Sequence, residues 1–297
     1  MTKKWMCLSL IVLGFFNATA QERDSANEQI TLLIRCDDLG MCHAVNMAAK
    51  KVMETGIPLS TSVMFACPWY QEAVDLLKQY PHVSVGIHLT LNSEWKNYRW
   101  GPILGRSVVP TLVDSLGYFF PTRAALFERN PNLEEIEREL RAQIERAVTS
   151  GLQIDYLDYH MGAAVSTPET RQIVEKLAAQ FGLAISRYFG ETDVEGIYAA
   201  PYASKKDTIL KRVGNLQPGG VKLAVHHIGI EGPEMDALLD MNSFGLQEMS
   251  KHRQAELHAL ISPEYRELLR QKNIRPITYR DLARSVGLKN MKRPEVR

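Results

Sequence analysis

A chain of 297 residues with 35 Lys and Arg against 34 Asp and Glu has a formal charge of only +1, and 45% of it is hydrophobic. Such a composition supports one large core and excludes a disordered chain. With no basic stripe to attract phosphates, nucleic-acid binding is excluded as well.

The N-terminus opens on Lys3 and Lys4, an apolar run from Cys7 to Phe16, and the small residues Asn17-Ala18-Thr19-Ala20. This is the layout of a secretory signal peptide, residues 1–20, cleaved after Ala20. Its apolar run is too short to anchor the chain in a bilayer. Cleavage removes two lysines and no acid, so the formal charge becomes −1. The expected product is exported and free of the membrane, and periplasmic in a Gram-negative host. It keeps Cys36, Cys42 and Cys67, an odd number without a Cys-x-x-Cys pair, so buried free thiols are expected rather than a cysteine zinc site.

Residues 21–29 read as a flexible segment. From Ile30 to Gly40 the chain is mostly apolar or β-branched, interrupted by Arg35, and ends on adjacent carboxylates, Asp37 and Asp38. The apolar part is the pattern of a strand covered on both faces. Helix 42–55 follows, closed by Gly56, then strand 59–65, helix 69–79 and strand 83–91 carrying His88. Residues 92–117 lose all periodicity but hold Trp95, Tyr98 and Trp100, as an ordered loop would. Leu133, Ile136, Leu140, Ile144 and Val148 make one stripe of a helix over 133–149. Strand 154–158 delivers Asp158-Tyr-His160. Helix 168–180, strand 183–188, helix 205–213 and strand 222–228 with His226 and His227 come next. Helices 246–260 and 263–271 and a short strand 276–279 complete the pattern.

Strands alternating with long helices mean βαβ units and a parallel sheet. The expected fold is α/β, a TIM-like (β/α) barrel of about seven strands spanning 30–288 as a single domain. An open doubly wound sheet is the alternative, but no Gly-x-Gly-x-x-Gly follows the first strand, so a dinucleotide is not expected. Residues 289–297 read as a basic tail without regular structure.

Asp37, Asp38, His88, His160 and His226 all fall in or just past strands and can therefore meet at one mouth of the barrel. A carboxylate with two imidazoles is the donor set of an open catalytic metal site. Singly, each histidine is more often packed in a core, and Asp-Asp-x-Gly is ordinary turn chemistry. It is their joint placement that favours a site. No arginine cluster is visible in the sequence, which disfavours a phosphoester hydrolase.

The runs Arg35-Cys-Asp-Asp-Leu-Gly-Met-Cys-His-Ala-Val-Asn46, Ser60-Thr-Ser-Val-Met64, Val85-Gly-Ile-His-Leu-Thr90 and Leu157-Asp-Tyr-His160 resemble the YdjC-type carbohydrate deacetylases, the ChbG/HpnK family. The resemblance extends from about Ile30 to Leu282. It implies a (β/α) barrel that removes acetyl groups from N-acetylated sugars with one divalent ion, zinc or magnesium. It further implies that Asp38, His88 and His160 are the metal ligands, Asp37 the general base and His226 a candidate general acid, with the choice between His226 and His227 left open. Two positions depart from the pattern: Gly162 replaces a second histidine, and His227 replaces a proline. Trp95, Trp100 and Arg187 are candidates for substrate contact, and Asn46 for orienting a carboxylate. The implied partner is a small N-acetylated mono- or oligosaccharide, with a homodimer allowed for. A sugar-binding protein without activity is the remaining alternative.

Overall fold

The computed structural model describes residues 28–294, so the predicted signal peptide and most of the segment 21–29 lie outside the described residues. The strands are β1 (Ile30–Leu39), β2 (Ser60–Val63), β3 (Ser84–Leu89), β4 (Ile154–Tyr159), β5 (Ala184–Ile185), β6 (Thr192–Asp193), β7 (Val221–His226) and β8 (Ile274–Ile277). All are parallel to their neighbours, in the order β5-β4-β3-β2-β1-β7-β6, with β8 beside the start of β1. The sheet curls into a barrel left open between β5 and β6, which is the expected architecture rather than the doubly wound one.

The helices are α1 (His43–Met53), α2 (Tyr70–Leu77), α3 (Arg123–Phe127), α4 (Leu133–Val148), α5 (Pro168–Phe181), α6 (Lys205–Gly214), α7 (Pro233–Asp236), α8 (Met249–Leu260), α9 (Pro263–Gln271) and α10 (Tyr279–Ser285). Their ends follow from local chemistry. Asn132 caps α4 by accepting from Glu134 N, and Glu134 and Glu135 face the positive end of its dipole. Thr167 and Thr170 form a capping box at α5, which ends at left-handed Gly182. Neither β6, two residues long, nor the short helices α3 and α10 have a periodicity that announces them. The late helix begins at Met249, not at residue 246.

Side chains alternate along a strand, and this parity builds the barrel interior in layers. Leu33, Tyr156, Ala184, Leu223, Ile277 and Tyr279 form one hydrophobic cluster at its floor. The Tyr156 and Tyr279 rings lie 4.1 Å apart, with their hydroxyls on Ser62 (3.0 Å) and Ser186 (2.7 Å). Two residues further along each strand come Arg35, Asp158 and Val225, and two beyond those Asp37, His160 and His227. The lumen therefore grades from apolar to ionic towards the C-terminal mouth.

The long loop over 92–117 is pegged by buried carboxylates of α4. Glu139 accepts from Ile103 N (3.0 Å) and Leu104 N (3.1 Å), and Glu135 accepts from both N and Oγ1 of Thr111 (2.8 Å each). The expected tail is also ordered in its described part. Met291 Sδ accepts from Ile185 N, and Lys292 N donates to Tyr188 O (2.8 Å), so this segment covers the bare edge of β5. An unpaired edge binds whatever can complete its hydrogen bonds.

Gly86 lets β3 pass the Tyr156 ring: a Cβ there would stand 2.3–2.6 Å from three ring carbons. Gly86→Ala is expected to destabilise the protein by about 1–3 kcal/mol through overpacking, measured by urea denaturation. An unchanged midpoint would show that the ring shifts freely.

Candidate metal centre and active site

Adjacent strand residues ordinarily face opposite sides, yet Asp37 and Asp38 both line one cavity of about 650 Å³ at the barrel mouth. The reason is local. The register of β1 against β2 breaks between Cys36 and Leu39, and Asp38 takes a left-handed conformation with φ 67°. Such an irregularity re-aims a side chain. Met161 (φ 48°) and Arg187 (φ 71°) are likewise left-handed and line the same cavity. Strain held in non-glycine residues at one place accompanies function.

Asp38 Oδ1, His88 Nε2 and His160 Nδ1 converge. The oxygen lies 3.5 Å from each nitrogen, and the nitrogens lie 3.3 Å apart. Asp38 Oδ1 is buried and has no hydrogen-bond partner among the described residues, an orphaned acceptor that a cation would satisfy. Donors arranged tetrahedrally about 2.0–2.1 Å from an ion stand about 3.3–3.4 Å apart, close to the spacing found. The remaining ring nitrogens are taken. His88 Nδ1 meets Asp158 Oδ2 (2.8 Å), and His160 Nε2 meets Glu94 Oε2 (2.9 Å). Each carboxylate fixes the tautomer that leaves the inward nitrogen free to ligate. These residues fit a divalent ion.

Two buried arginines hold the carboxylates in place. Arg35 grips Asp37 with Nε on Oδ1 (2.6 Å) and Nη2 on Oδ2 (2.7 Å), while its Nη1 donates to Ser186 Oγ (2.6 Å) and lies 3.0 Å from Asp158 Oδ1. Arg253 Nη2 donates to Asp38 Oδ2 (2.7 Å). Burial opposes the charge on Asp38 and Asp158, but Arg253 and Arg35 respectively prevail and keep both carboxyls below their usual range. Burial also disfavours protonated His160, yet Glu94 and Asp38 push it up to about 10. Cation binding there must therefore release a proton. Burial lowers His227 below the ordinary histidine value, against the pull of Asp38 and Asp37.

Of the other candidates, Trp95 and Arg187 line the cavity, and Arg187 also pairs with Asp193 (2.8 Å). Trp100 does not line it. It is buried, donates Nε1–H to Asn92 O (2.9 Å), and packs its edge 6.0 Å from the His160 ring. Asn46 contacts neither aspartate. Its Oδ1 accepts from Gly40 N (2.8 Å) and its Nδ2 donates to Trp69 O and Glu72, so it holds the turn after the pair.

His226 is the main correction. Parity on β7 sends Leu223, Val225 and His227 into the lumen and His226 outward, fully buried against α8, its Nδ1 3.4 Å from Glu256 Oε2. His227 lines the cavity in its place, and its backbone N donates to Glu256 Oε2 (2.9 Å). His252 on α8 is buried, with its ring 5.5 Å from that of Tyr202.

Arg35, Arg253 and Asp158 carry no mark of a site in the sequence, and Glu94, a loop charge near the sugar, turns instead to His160. Parity alone could have placed Arg35 beside Asp37, and Asp158 beside His160. Nothing local marks Arg253, which the fold brings in from α8, or the reach of Glu94. Together with Arg123 and Arg187 these arginines make a cluster at the cavity that the sequence did not reveal. A second group, Asp37, His88 and Asp158, has donor spacing suited to a cation, but the Arg35 guanidinium already neutralises its carboxylates.

Arg35→Leu strands two buried carboxylates and is expected to cost about 3–5 kcal/mol of stability, read from denaturation curves. A smaller loss than about 1 kcal/mol would mean that the carboxylates find other partners. Glu256 provides an independent check. Burial opposes its charge, but His226 and Lys205 beside it hold the carboxyl down to about 2. Its folded value lies below the unfolded one, so the stability it contributes is complete above about pH 4.3 and drains away as pH falls towards 2. Denaturation curves of the wild type and Glu256→Gln are expected to draw together by about 3 kcal/mol over that fall. Parallel curves would contradict the ion pair.

The sequence profile of the YdjC-like proteins matches residues 31–271. Relatives include the carbohydrate deacetylase of Thermus thermophilus, 30% identical in an alignment of 284 positions that covers 87% of this chain and 96% of that protein. Carbohydrate deacetylase 1 of Listeria innocua is 28% identical over 84% of this chain and 99% of its own length. The carbohydrate deacetylase of Enterococcus faecalis is 32% identical over 52% of this chain, and the match spans 57% of that relative. A solved structure from Enterococcus faecalis V583, a candidate cellobiose-phosphate cleavage protein, shares the fold with a TM-score of 0.69. It is 24% identical over 86% of this chain and 99% of its own. The barrel, its mouth and the profile agree that this chain belongs to the YdjC-like protein family.

Proposed function

We propose that this protein is a carbohydrate deacetylase that hydrolyses the acetamide of N-acetylated sugars with one divalent ion held by Asp38, His88 and His160. The convergence of those three donors around an unpartnered Asp38 Oδ1, with Asp37 at the same cavity, carries the reading. Membership of a family whose relatives are named carbohydrate deacetylases supports it. Two imidazoles and donor spacing near the tetrahedral value favour zinc over magnesium, which prefers an octahedral shell rich in oxygen.

Bound there, the ion supplies Lewis-acid polarisation of the acetyl carbonyl and makes water a competent nucleophile near neutral pH. Asp37, clamped by Arg35, accepts the proton that water loses as it attacks. The amine cannot depart as an anion, so His227 passes on to it the proton that Asp37 removed from water, a proton the buried imidazole holds only weakly. Arg253 Nε and Nη1 are buried without partners among the described residues and offer N–H groups to a sugar oxygen. Trp95 closes the wall beneath them, its ring 5.8 Å from the Arg253 guanidinium carbon.

Acetate release from N-acetylglucosamine oligomers is expected to vanish on chelation and to return with zinc or cobalt. Metal-independent release would overturn the reading. Asp37→Asn is expected to keep the metal and lose about 10²–10⁴ in kcat. His227→Ala should lose activity on a similar scale. His226→Ala should act through stability, with kcat per folded molecule nearly preserved. The reverse ranking would restore His226 as the proton donor. If metal is lost in step with activity in Asp37→Asn, that residue is a ligand and not the base. The leader over residues 1–20 is proposed to export the chain, and N-terminal sequencing of protein from the producing cell checks for a start at Gln21.

A further inference from the structure

The paired register of β7 with β1 ends at His226, so His227 is the first residue beyond the ladder. A side chain hung there is only as well placed as the backbone that carries it. Past a ladder an amide must find another acceptor. The His227 N–H finds Glu256 Oε2, which reaches in from α8 (2.9 Å). His226 Nδ1 stands farther from the same oxygen, at 3.4 Å. The other oxygen of Glu256 accepts from Lys205 Nζ (3.1 Å), and Lys205 donates a second bond to Tyr198 O (2.7 Å). The Tyr198 ring in turn meets the His227 imidazole edge-on, with centroids 5.5 Å apart. Lys205 therefore ties together the two groups that touch His227, one at its backbone and one at its ring.

Stability gives no reason for a lysine at this place. Lys205 is fully buried and opens α6, where the positive end of the helix dipole opposes an ammonium. Burial further disfavours its charge, and Glu256 offsets only part of that cost. A buried pair of this kind seldom adds net stability over apolar groups of like volume. Neither Lys205 nor Glu256 lines the cavities at the barrel mouth, so neither touches a sugar bound there. What the pair does supply is a fixed placement of α6 and α8 against the end of β7.

We propose that Lys205 and Glu256 are positioning residues that hold His227 ready for proton transfer, Glu256 through its amide and Lys205 through Tyr198. The assignment rests on the reading of His227 as the proton donor. It brings two residues of the outer helical layer into the reaction without contact with the substrate.

The test turns on the leaving group. An amine departs only with a proton, whereas 4-nitrophenolate departs without one. Lys205→Met is expected to lower kcat for acetate release from N-acetylglucosamine tetramer by about tenfold to a hundredfold. Its kcat on 4-nitrophenyl acetate is expected to change by less than about twofold, with the metal content unaltered. Lys205→Met combined with Glu256→Leu replaces the whole pair by apolar groups and leaves no stranded carboxylate, so it guards against misfolding. This double variant is expected to discriminate between the substrates in the same way. In a His227→Ala background, Lys205→Met is expected to add no further loss. Amide hydrogen exchange at His227 gives a readout independent of turnover. It is expected to quicken about tenfold in both variants, while Val225 on the ladder keeps its protection. Equal losses on the two substrates, additive losses with His227→Ala, or unchanged exchange at His227 overturn the proposal. A wild type inactive on both substrates would instead overturn the deacetylase reading, and exchange alone would then decide whether the pair anchors His227.

Discussion

The buried Arg35 guanidinium is the contact on which the site depends. It touches Asp37, Asp158 and Ser186, which come from β1, β4 and the turn after β5, and so ties three parts of the barrel wall together through one delocalised charge. A lysine could not do the same, since a point charge lacks the planar fork that grips both oxygens of Asp37. Desolvating one arginine and two carboxylates is costly, and a pair of this kind seldom adds net stability. What it contributes is a fixed position: Asp37 cannot rotate away, and Asp158 keeps its second oxygen aimed at His88.

Above that layer the histidines are locked from behind by two carboxylates of different origin. Asp158 belongs to the neighbouring strand, whereas Glu94 comes from the loop that α4 pegs through Glu135 and Glu139. The same loop pairs with residues near Asp240, where Met241 N donates to Glu94 O (2.9 Å) and Lys96 N to Leu239 O (2.8 Å). The donor geometry at the mouth thus extends, through carboxylates and loop ladders, into the outer helical layer.

The barrel was legible because strand ends announce themselves, and so was the meeting of Asp37, Asp38, His88 and His160 at one cavity. Apolar runs that break at Asp37, His88 and His160 reveal where a β/α unit delivers polar groups to the mouth. The choice between His226 and His227 needed a parity count: Leu223 and Val225 mark the inward side of β7, and His227 continues it. Trp100 shows the opposite limit. An aromatic in a loop near the site serves either as wall or as filling, and only packing decides. Helix α8 was opaque for a further reason. It buries Arg253 and Glu256 against the barrel, so its inward face is ionic and carries no hydrophobic periodicity. The bulge that turns Asp38 into the cavity has no sequence signature beyond the glycine that follows.

The pairing of β1 with β8 has a consequence for how the molecule comes into being. Ile30 to Leu33 lie along Ile274 to Ile277, contacts separated by about the whole length of the domain. A folding chain holds the start of β1 without that neighbour until the segment 274–277 arrives. Loop-closure entropy of this kind slows folding and lengthens the time a bare strand is exposed. The delay falls on one end of β1 alone, because the end that carries the aspartates pairs with β2 and finds that neighbour within thirty residues of chain.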